Sequence, residues 1–459
     1  MLHRSAEQIG RTDVGPRPLP PLGFTSPASA PPAVDTVLDS GLRVIAVRRP
    51  AVPMVELRLQ IPFGGTHRTH PARAELLAAT MLCGTPRRDR FAVDRALAAV
   101  GGDLAAGVNP EHLSVAGSAL ASGLDVLLDV LADALRSASY AAGEVARERS
   151  RLVERLTMSR SQPRVIAREA LQRRRYGKHP ATREWPEADE VAAVTPEAVR
   201  ALHRRSVVPG GAVLVLVGDL TPDRAVEAVQ SALAGWQSDR SAVELAPLPE
   251  LTGADLELVH RAGAVQSQLR LSAQAVPRTD ERYPALQLAN LIFGGYFSSR
   301  WVENIREDKG YTYGAHCGLE FTPHGATLVA EADTASAVTA AALLETRYEL
   351  GRITVVAPAE SEIDNARHYA IGSLTIATSS QRGLAGHLVT LAALGLDLDW
   401  LRTHPSRLEA VTTEQVAEAA AAFLAPTRFT GVVVGDAERL ASPLAALGGV
   451  KLPERAAVM

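Results

Sequence analysis

Between Phe293 and Tyr313 the chain reads Phe-Gly-Gly-Tyr-Phe-Ser-Ser-Arg-Trp-Val-Glu-Asn-Ile-Arg-Glu-Asp-Lys-Gly-Tyr-Thr-Tyr. Two guanidinium groups, Arg300 and Arg306, and two phenols, Tyr311 and Tyr313, fall within this one stretch. Guanidinium and phenol are hydrogen-bond donors. Such a pair can hold a carbonyl and stabilise the oxyanion that forms as a nucleophile adds, and losing one donor of this kind costs a factor of about 10² to 10³ in rate. Gly310 stands where a turn would bring Tyr313 back toward Arg306, seven residues earlier. The competing reading of Arg306 is an ordinary surface arginine paired with Glu303 or Glu307.

Other chemistry-bearing signals are weaker. His67 and His70 form a close histidine pair, in Gly64-Gly-Thr-His-Arg-Thr-His70, but the segment reads as a turn before Pro71. A surface loop is therefore expected there, not a metal site. The chain has no His-Glu-x-x-His and no Gly-x-Ser-x-Gly. Gly294-Gly295 lacks the further glycine spacing and the lysine of a phosphate loop. The basic run from Arg164 to Lys178 has one interleaved aromatic, Tyr176. It is expected to be a solvated helix face or a partner-facing surface before it is an RNA-binding one.

Composition narrows the class. A chain of 459 residues exceeds one typical domain and can build two well-buried cores. With 46% hydrophobic and 22% charged residues it is ordinary for a globular protein. A net charge of −3 gives no electrostatic reason to expect nucleic acid or an anionic membrane. Cys83 and Cys317 sit in unrelated contexts, which favours a reducing compartment over a disulfide framework. There is no run of 18 apolar residues and no secretory-signal layout, so the expected location is cytoplasmic.

The elements that must position these residues alternate between strand and helix patterns. Seven prolines between Pro16 and Pro32 make residues 1–35 an expected extended arm, with order beginning near Thr36. Asp39-Ser40-Gly41 signals a turn before the apolar Leu42–Val47. Val55–Ile61 alternates as a half-buried strand does. Leu124, Leu127, Leu128, Leu131 and Leu135 recur at helical spacing, and a second helix over Val93–Val100 ends at Gly101-Gly102. The rhythm is not the strict β-α-β-α of a doubly wound sheet, and α+β is expected.

The chain also repeats itself. Val194-Thr-Pro-Glu-Ala-Val199 matches Val411-Thr-Thr-Glu-Gln-Val416, and Val194 and Val411 stand 217 residues apart. Pro209, before a strand ending Val217-Gly218-Asp219, matches Pro426, before Val434-Gly435-Asp436, at the same offset of 217. Two similar halves follow: residues 36–236 and 251–459, joined by a polar, Pro-punctuated linker over 237–250. The second half opens with its own alternating strand, with Leu269, Leu271, Ala273 and Ala275 on one face.

The Phe293–Tyr313 stretch resembles the signature of the C-terminal half of the pitrilysin family, in its mitochondrial processing peptidase branch. The resemblance covers about Thr36 to Gly449. It implies two homologous α/β-sandwich halves that close like a clam around an extended peptide. It also selects Arg306 and Tyr313 as the residues that grip substrate, leaving Arg300 a structural role and Tyr311 a packing one. Active relatives carry an inverted zinc motif, His-x-x-Glu-His, followed by a short apolar run and Gly-Thr.

Here Met81-Leu-Cys-Gly-Thr85 keeps the end of that segment, and the five motif positions are Glu75-Leu-Leu-Ala-Ala79. Glu75 and Ala79 replace the two ligand histidines and Ala78 replaces the general base. Alanine neither binds zinc nor moves a proton. Glu154 falls where relatives carry their third ligand. The resemblance thus implies no zinc in this chain, and a zinc-bearing homologous partner with which it forms a heterodimeric peptidase acting on peptides or leader peptides. The alternatives are an inert scaffold homologue, as in a respiratory complex, and a self-sufficient peptidase with an atypical metal site.

Overall fold

The computed structural model describes residues 31–453, so most of the expected Pro-rich arm lies outside the described residues. Order begins earlier than Thr36. Strand β1 (Ala33–Val37) pairs antiparallel with β2 (Arg43–Arg48) from Ala33 opposite Val47 onward. Even Pro32 contributes, because its carbonyl accepts from the Arg48 amide at 2.8 Å and a strand-end proline needs no donor. The turn between the two strands uses Gly41 at φ +82°.

Ten further strands complete two six-stranded sheets. They are β3 (Met54–Pro62), β4 (Asp103–Val108), β5 (His112–Leu120) and β6 (Val213–Gly218) in the first half, then β7 (Leu256–His260), β8 (Gln266–Gln274), β9 (Thr312–Thr322), β10 (Gly325–Ala335), β11 (Thr430–Gly435) and β12 (Val450–Lys451). The strand orders are β1-β2-β6-β3-β5-β4 and β12-β7-β11-β8-β10-β9. Five positions of the second order repeat the first, β7-β11-β8-β10-β9 matching β2-β6-β3-β5-β4, while the outer strands differ: β1 opens its half and runs antiparallel to β2, and β12 closes its half and runs parallel to β7. Val213 and Thr430, which open β6 and β11, stand at the offset the sequence repeat shows, and the helices before them are capped by Thr195 and Thr412 in the same way. The fold is α+β with two homologous halves. Residues 237–255 carry neither helix nor strand.

Strands β6 and β11 are buried along their whole length. Part of their cover is exchanged between the halves. The helix Pro163–Tyr176 of the first half lies on β8 and β11, where Ala167 and Leu171 meet Val329, Val432 and Val434. The helix Gln381–Ala393 of the second half lies on β3 and β6. A strand covered on both faces reads as a continuous apolar run, which is why Val213-Leu-Val-Leu-Val217 does not alternate.

Polar groups fasten the exchange. Arg175, 6% exposed, donates from Nη1 and Nη2 to Glu320 Oε2, both at 3.0 Å, and from Nη1 to Ser272 Oγ and Thr327 Oγ1. Arg168 bridges Glu184 and Glu320, Arg164 reaches Asp333, and Arg174 donates to Thr430 Oγ1 and the Asp255 carbonyl. This corrects the expectation for the Arg164–Lys178 run. Four of its arginines face the other half of the same chain, because their helix crosses over. In return Gln381 donates to the carbonyls of Arg49 and Val52.

Candidate functional site

The Phe293–Tyr313 stretch is held in an uncommon backbone. After the helix Tyr283–Asn290 the chain makes two π-helical turns, Leu291–Gly295, which runs into the stretch, and Glu303–Asp308 within it, on either side of a short helix Arg300–Val302. Wide turns of this kind are rare and concentrate at functional sites. Nothing in residue spacing announces them. Packing explains why they persist. Phe293 and Trp301 stack face to face with centroids 5.3 Å apart. A Cβ on Gly294 would lie 2.8 Å from the Trp301 ring and 3.0 Å from Cys317 Cβ, so only glycine fits.

The same stretch is bolted to its neighbours. Trp301 Nε1 donates to Thr346, and Asn304 Nδ2 donates to Glu345 and Glu349. Arg300 donates twice to Glu362, both bonds 2.7 Å, and to the Val356 carbonyl. With its side chain 8% exposed, Arg300 is a structural anchor. Tyr311 packs half-buried against the second core. Gly310, at φ +63°, then turns the chain into β9.

The turn brings Arg306 and Tyr313 together. The Arg306 guanidinium carbon stands 4.3 Å from the Phe297 ring centroid and 5.6 Å from that of Tyr313, and Nη1 lies 3.1 Å from Glu307. So the surface-pairing reading with Glu307 and the proximity to Tyr313 both hold. Tyr313 is 92% exposed and Phe297 61% exposed. Phe297 is the residue that sequence reasoning missed, since an aromatic in a Gly/Ser-rich stretch carries no sign that it will flank a guanidinium.

Tyr313 owes its exposure to a bulge. Ala332 faces Ala315 and Thr334 faces Thr312, so Tyr313 and Gly314 together oppose the single residue Asp333. Thr312 Oγ1 pins the irregularity, bonding to the carbonyls of Asp333 and Gly314 at 2.7 and 2.8 Å. Bulges re-aim side chains in this way beside functional sites. Strand β9 is also the outermost strand of its sheet, with β10 as its one ladder partner among the described residues. Its free edge offers backbone donors and acceptors to an extended chain.

The other half of the expected machinery looks different. Glu75, Ala78 and Ala79 lie on the helix His70–Thr80. Ala78 is 6% exposed and Ala79 is exposed. Burial pushes the Glu75 carboxyl up, opposed by Arg155, whose Nη2 is 3.6 Å from Oε2. Glu154, the expected third ligand position, is exposed on the helix Ala142–Ser159. Glu154 makes no side-chain hydrogen bond or ion pair among the described residues, whereas its neighbour Arg155 reaches Glu75. Among the described residues no hydrogen bond or ion pair joins this cluster to Arg306 or Tyr313.

The residues do not fit zinc. Of the three positions Glu75, Ala78 and Ala79 two are alanine, and Glu75 faces the Arg155 guanidinium, which would repel a divalent cation. Among the described residues no three His, Cys, Asp or Glu side chains are grouped as a metal site requires. His67 is exposed as expected, with Nδ1 3.0 Å from Thr69 Oγ1. His70 is not in a surface loop. It opens the helix ahead of Pro71, is 5% exposed, and joins Nε2 to the Phe63 carbonyl at 2.9 Å. Proline at a first helical turn is favourable, so Pro71 starts this helix where sequence reading placed a loop.

Comparison with known proteins agrees with the fold and the family resemblance. The family model described as insulinase (peptidase family M16) matches residues 43–187, and that described as peptidase M16 inactive domain matches residues 193–369. An uncharacterized zinc protease of Streptomyces coelicolor is 26% identical over 306 residues, covering 62% of this chain and 65% of that protein, slightly under two thirds of its length. One from Mycobacterium tuberculosis is 27% identical over 311 residues, covering 66% and 70%. The crystal structure of a peptidase M16 inactive domain from Pseudomonas fluorescens superposes with TM-score 0.80 at 23% identity, over 88% of this chain and 98% of that one. A protease from Helicobacter pylori gives TM-score 0.79 at 16% identity, over 89% and 100%. At such identities the structural likenesses establish the fold. Taken with the doubled architecture and the Phe293–Tyr313 signature, the two family models show that this chain belongs to the peptidase M16, or pitrilysin, family, with its residues 193–369 of the inactive-domain type.

Proposed function

We propose that this chain is the zinc-less subunit of a heterodimeric metallopeptidase and supplies Arg306 and Tyr313 to a homologous partner carrying His-x-x-Glu-His. One observation carries the reading: Tyr313 is aimed outward by a bulge beside Arg306, in a chain whose own motif is Glu75, Ala78 and Ala79. An extended peptide or leader peptide would add to the free edge of β9, its backbone pairing with that of the strand. Arg306 and Tyr313 would then donate to a substrate carbonyl and to the oxyanion that replaces it. The partner's zinc would supply the activated water. Neither nucleic acid nor membrane takes part, and the two free cysteines suit a reducing, cytoplasmic setting.

Two experiments test this. Co-expression with a zinc-motif homologue from the same genome is expected to yield one complex in size-exclusion chromatography, with peptidase activity absent from this chain alone. A strictly monomeric chain beside a homologue that is fully active by itself would sink the reading. Elemental analysis of the isolated chain is expected to find no stoichiometric zinc, because Glu75, Ala78 and Ala79 offer no ligand set and none is grouped elsewhere among the described residues. One tightly bound zinc per chain would defeat that expectation.

A further inference from the structure

A second cluster of polar groups lies in the second half, away from the Arg306–Tyr313 pair. At its centre His404 stacks on Trp400, with centroids 4.6 Å apart, and on Tyr283 at 5.4 Å. The Arg278 guanidinium carbon stands 4.2 Å from the Phe321 centroid, 5.5 Å from Tyr283 and 5.8 Å from Trp400. Arg407 approaches the same Trp400 ring at 5.7 Å. Two guanidinium groups therefore share one aromatic platform.

Neither of them has a carboxylate partner among the described residues. Arg282 beside them does, because Asp280 takes it at 3.0 and 2.8 Å. Arg278 donates from Nη1 to Tyr283 Oη at 3.0 Å, and its Nε is buried without an acceptor. Trp400 Nε1 is likewise a buried donor without an acceptor, in a residue 8% exposed, whereas His404 donates from Nε2 to Gln287 Oε1 at 2.8 Å and keeps Nδ1 as an unprotonated acceptor. Native interiors leave few such groups, and two unpartnered donors against one ring stack call for an explanation. Cation–π contact offsets part of the burial of a guanidinium but provides no acceptor for its N–H groups. Burial, with Arg278 and Arg407, pushes the His404 imidazole down to about 4, and burial with Arg278 lowers His387. Neither Arg278 nor Arg407 is ion-paired among the described residues, so the charges nearest His404 are positive.

Arg278, Arg407, Tyr283, Gln415 and Phe423 line one open cavity of about 850 Å³. Its acidic groups are Asp280, held by Arg282, and the exposed Glu281 and Glu418. An anionic ligand would therefore place its charge toward Arg278 and Arg407 and keep it away from those two glutamates. We infer that this cavity is a binding site for the oxyanion of a small molecule, a carboxylate or a phosphate, held by Arg278 and Arg407. The planar fork of arginine suits both groups.

Isothermal titration of the full chain with inorganic phosphate, with acetyl-dialanine and with acetyl-dialanine amide tests the assignment. Saturable binding of phosphate, or of the dipeptide acid but not its amide, is expected and tells the two oxyanion sources apart. Arg407→Ala, at an exposed position, should weaken that binding about 10-fold or more, as loss of a charge-assisted bond does. Arg278→Gln should do the same, and if it fails to fold, Arg407→Ala decides alone. Arg402→Ala, on the same helix but paired with Asp399, should leave binding unchanged. No saturable binding of either oxyanion up to about 10 mM, or binding that Arg407→Ala leaves intact, would overturn the inference.

Discussion

If the proposed heterodimeric peptidase forms, Tyr313→Phe is expected to lower its kcat/KM by about 10²-fold or more, with complex formation and zinc content unchanged. The substitution removes one hydroxyl from a side chain that is 92% exposed, so it opens no cavity. The ring that remains still faces the Arg306 guanidinium, so the local arrangement is kept. What disappears is a donor held by the bulge at Tyr313–Gly314, where an oxyanion would need it. Arg306→Ala should cost as much by removing the charged donor, and it also frees Phe297 and Glu307 from their contacts. Steady-state kinetics on the purified complex, beside size-exclusion and metal analysis, would check both. An intact complex whose turnover ignores both substitutions makes this chain a scaffold subunit.

Arg175→Ala should destabilise the chain by about 3 kcal/mol at neutral pH, the low end of what breaking a buried ion pair costs. The low end applies because Glu320 keeps 34% of its side-chain surface, while Arg175 keeps 1%. Without the guanidinium, Glu320 Oε2 loses two bonds, and Ser272, Thr327 and Gln172 lose a donor each. The effect also depends on pH. Burial pushes the Glu320 carboxyl up, but the combined pull of Arg175 and Arg168 outweighs it and holds the group below its usual range. A depressed carboxylate contributes stability above its unfolded pKa and loses that contribution as pH falls through the folded value. The gap between wild type and Arg175→Ala should therefore narrow as pH drops through and below the ordinary carboxylate range, near 4. Denaturant melts across pH would show it, and a loss under about 1 kcal/mol at neutral pH would contradict the strap role.

Much of the architecture was legible in the residues. Periodicity located β2, β3 and the helix Leu124–Ser137, and the shared offset of Pro209 and Pro426 exposed the doubled halves. Local spacing carries such features, because a strand or an amphipathic helix must present its apolar residues at its own period. The departure of Glu75, Ala78 and Ala79 from a zinc motif is equally local, since residue type alone decides whether a ligand exists. His70 was misjudged for the opposite reason. Its burial follows from Phe63, on a different element, and from the helix that Pro71 begins.

Residue identity and short-range pattern thus determined the family, the two-half fold and the presence of Glu75, Ala78 and Ala79 at the zinc-motif positions. Only the tertiary structure decided where the side chains meet. The Arg164–Lys178 run became an internal strap because its helix crosses to the other sheet, and Arg175 meets Glu320 across 145 residues of chain. The outward aim of Tyr313 depends on how β9 registers against β10, and the Arg278–Trp400–Arg407 cluster joins a loop to a helix more than a hundred residues later. Spacing along a chain sets which face a side chain takes, whereas its partner is set by how faces from distant segments are packed.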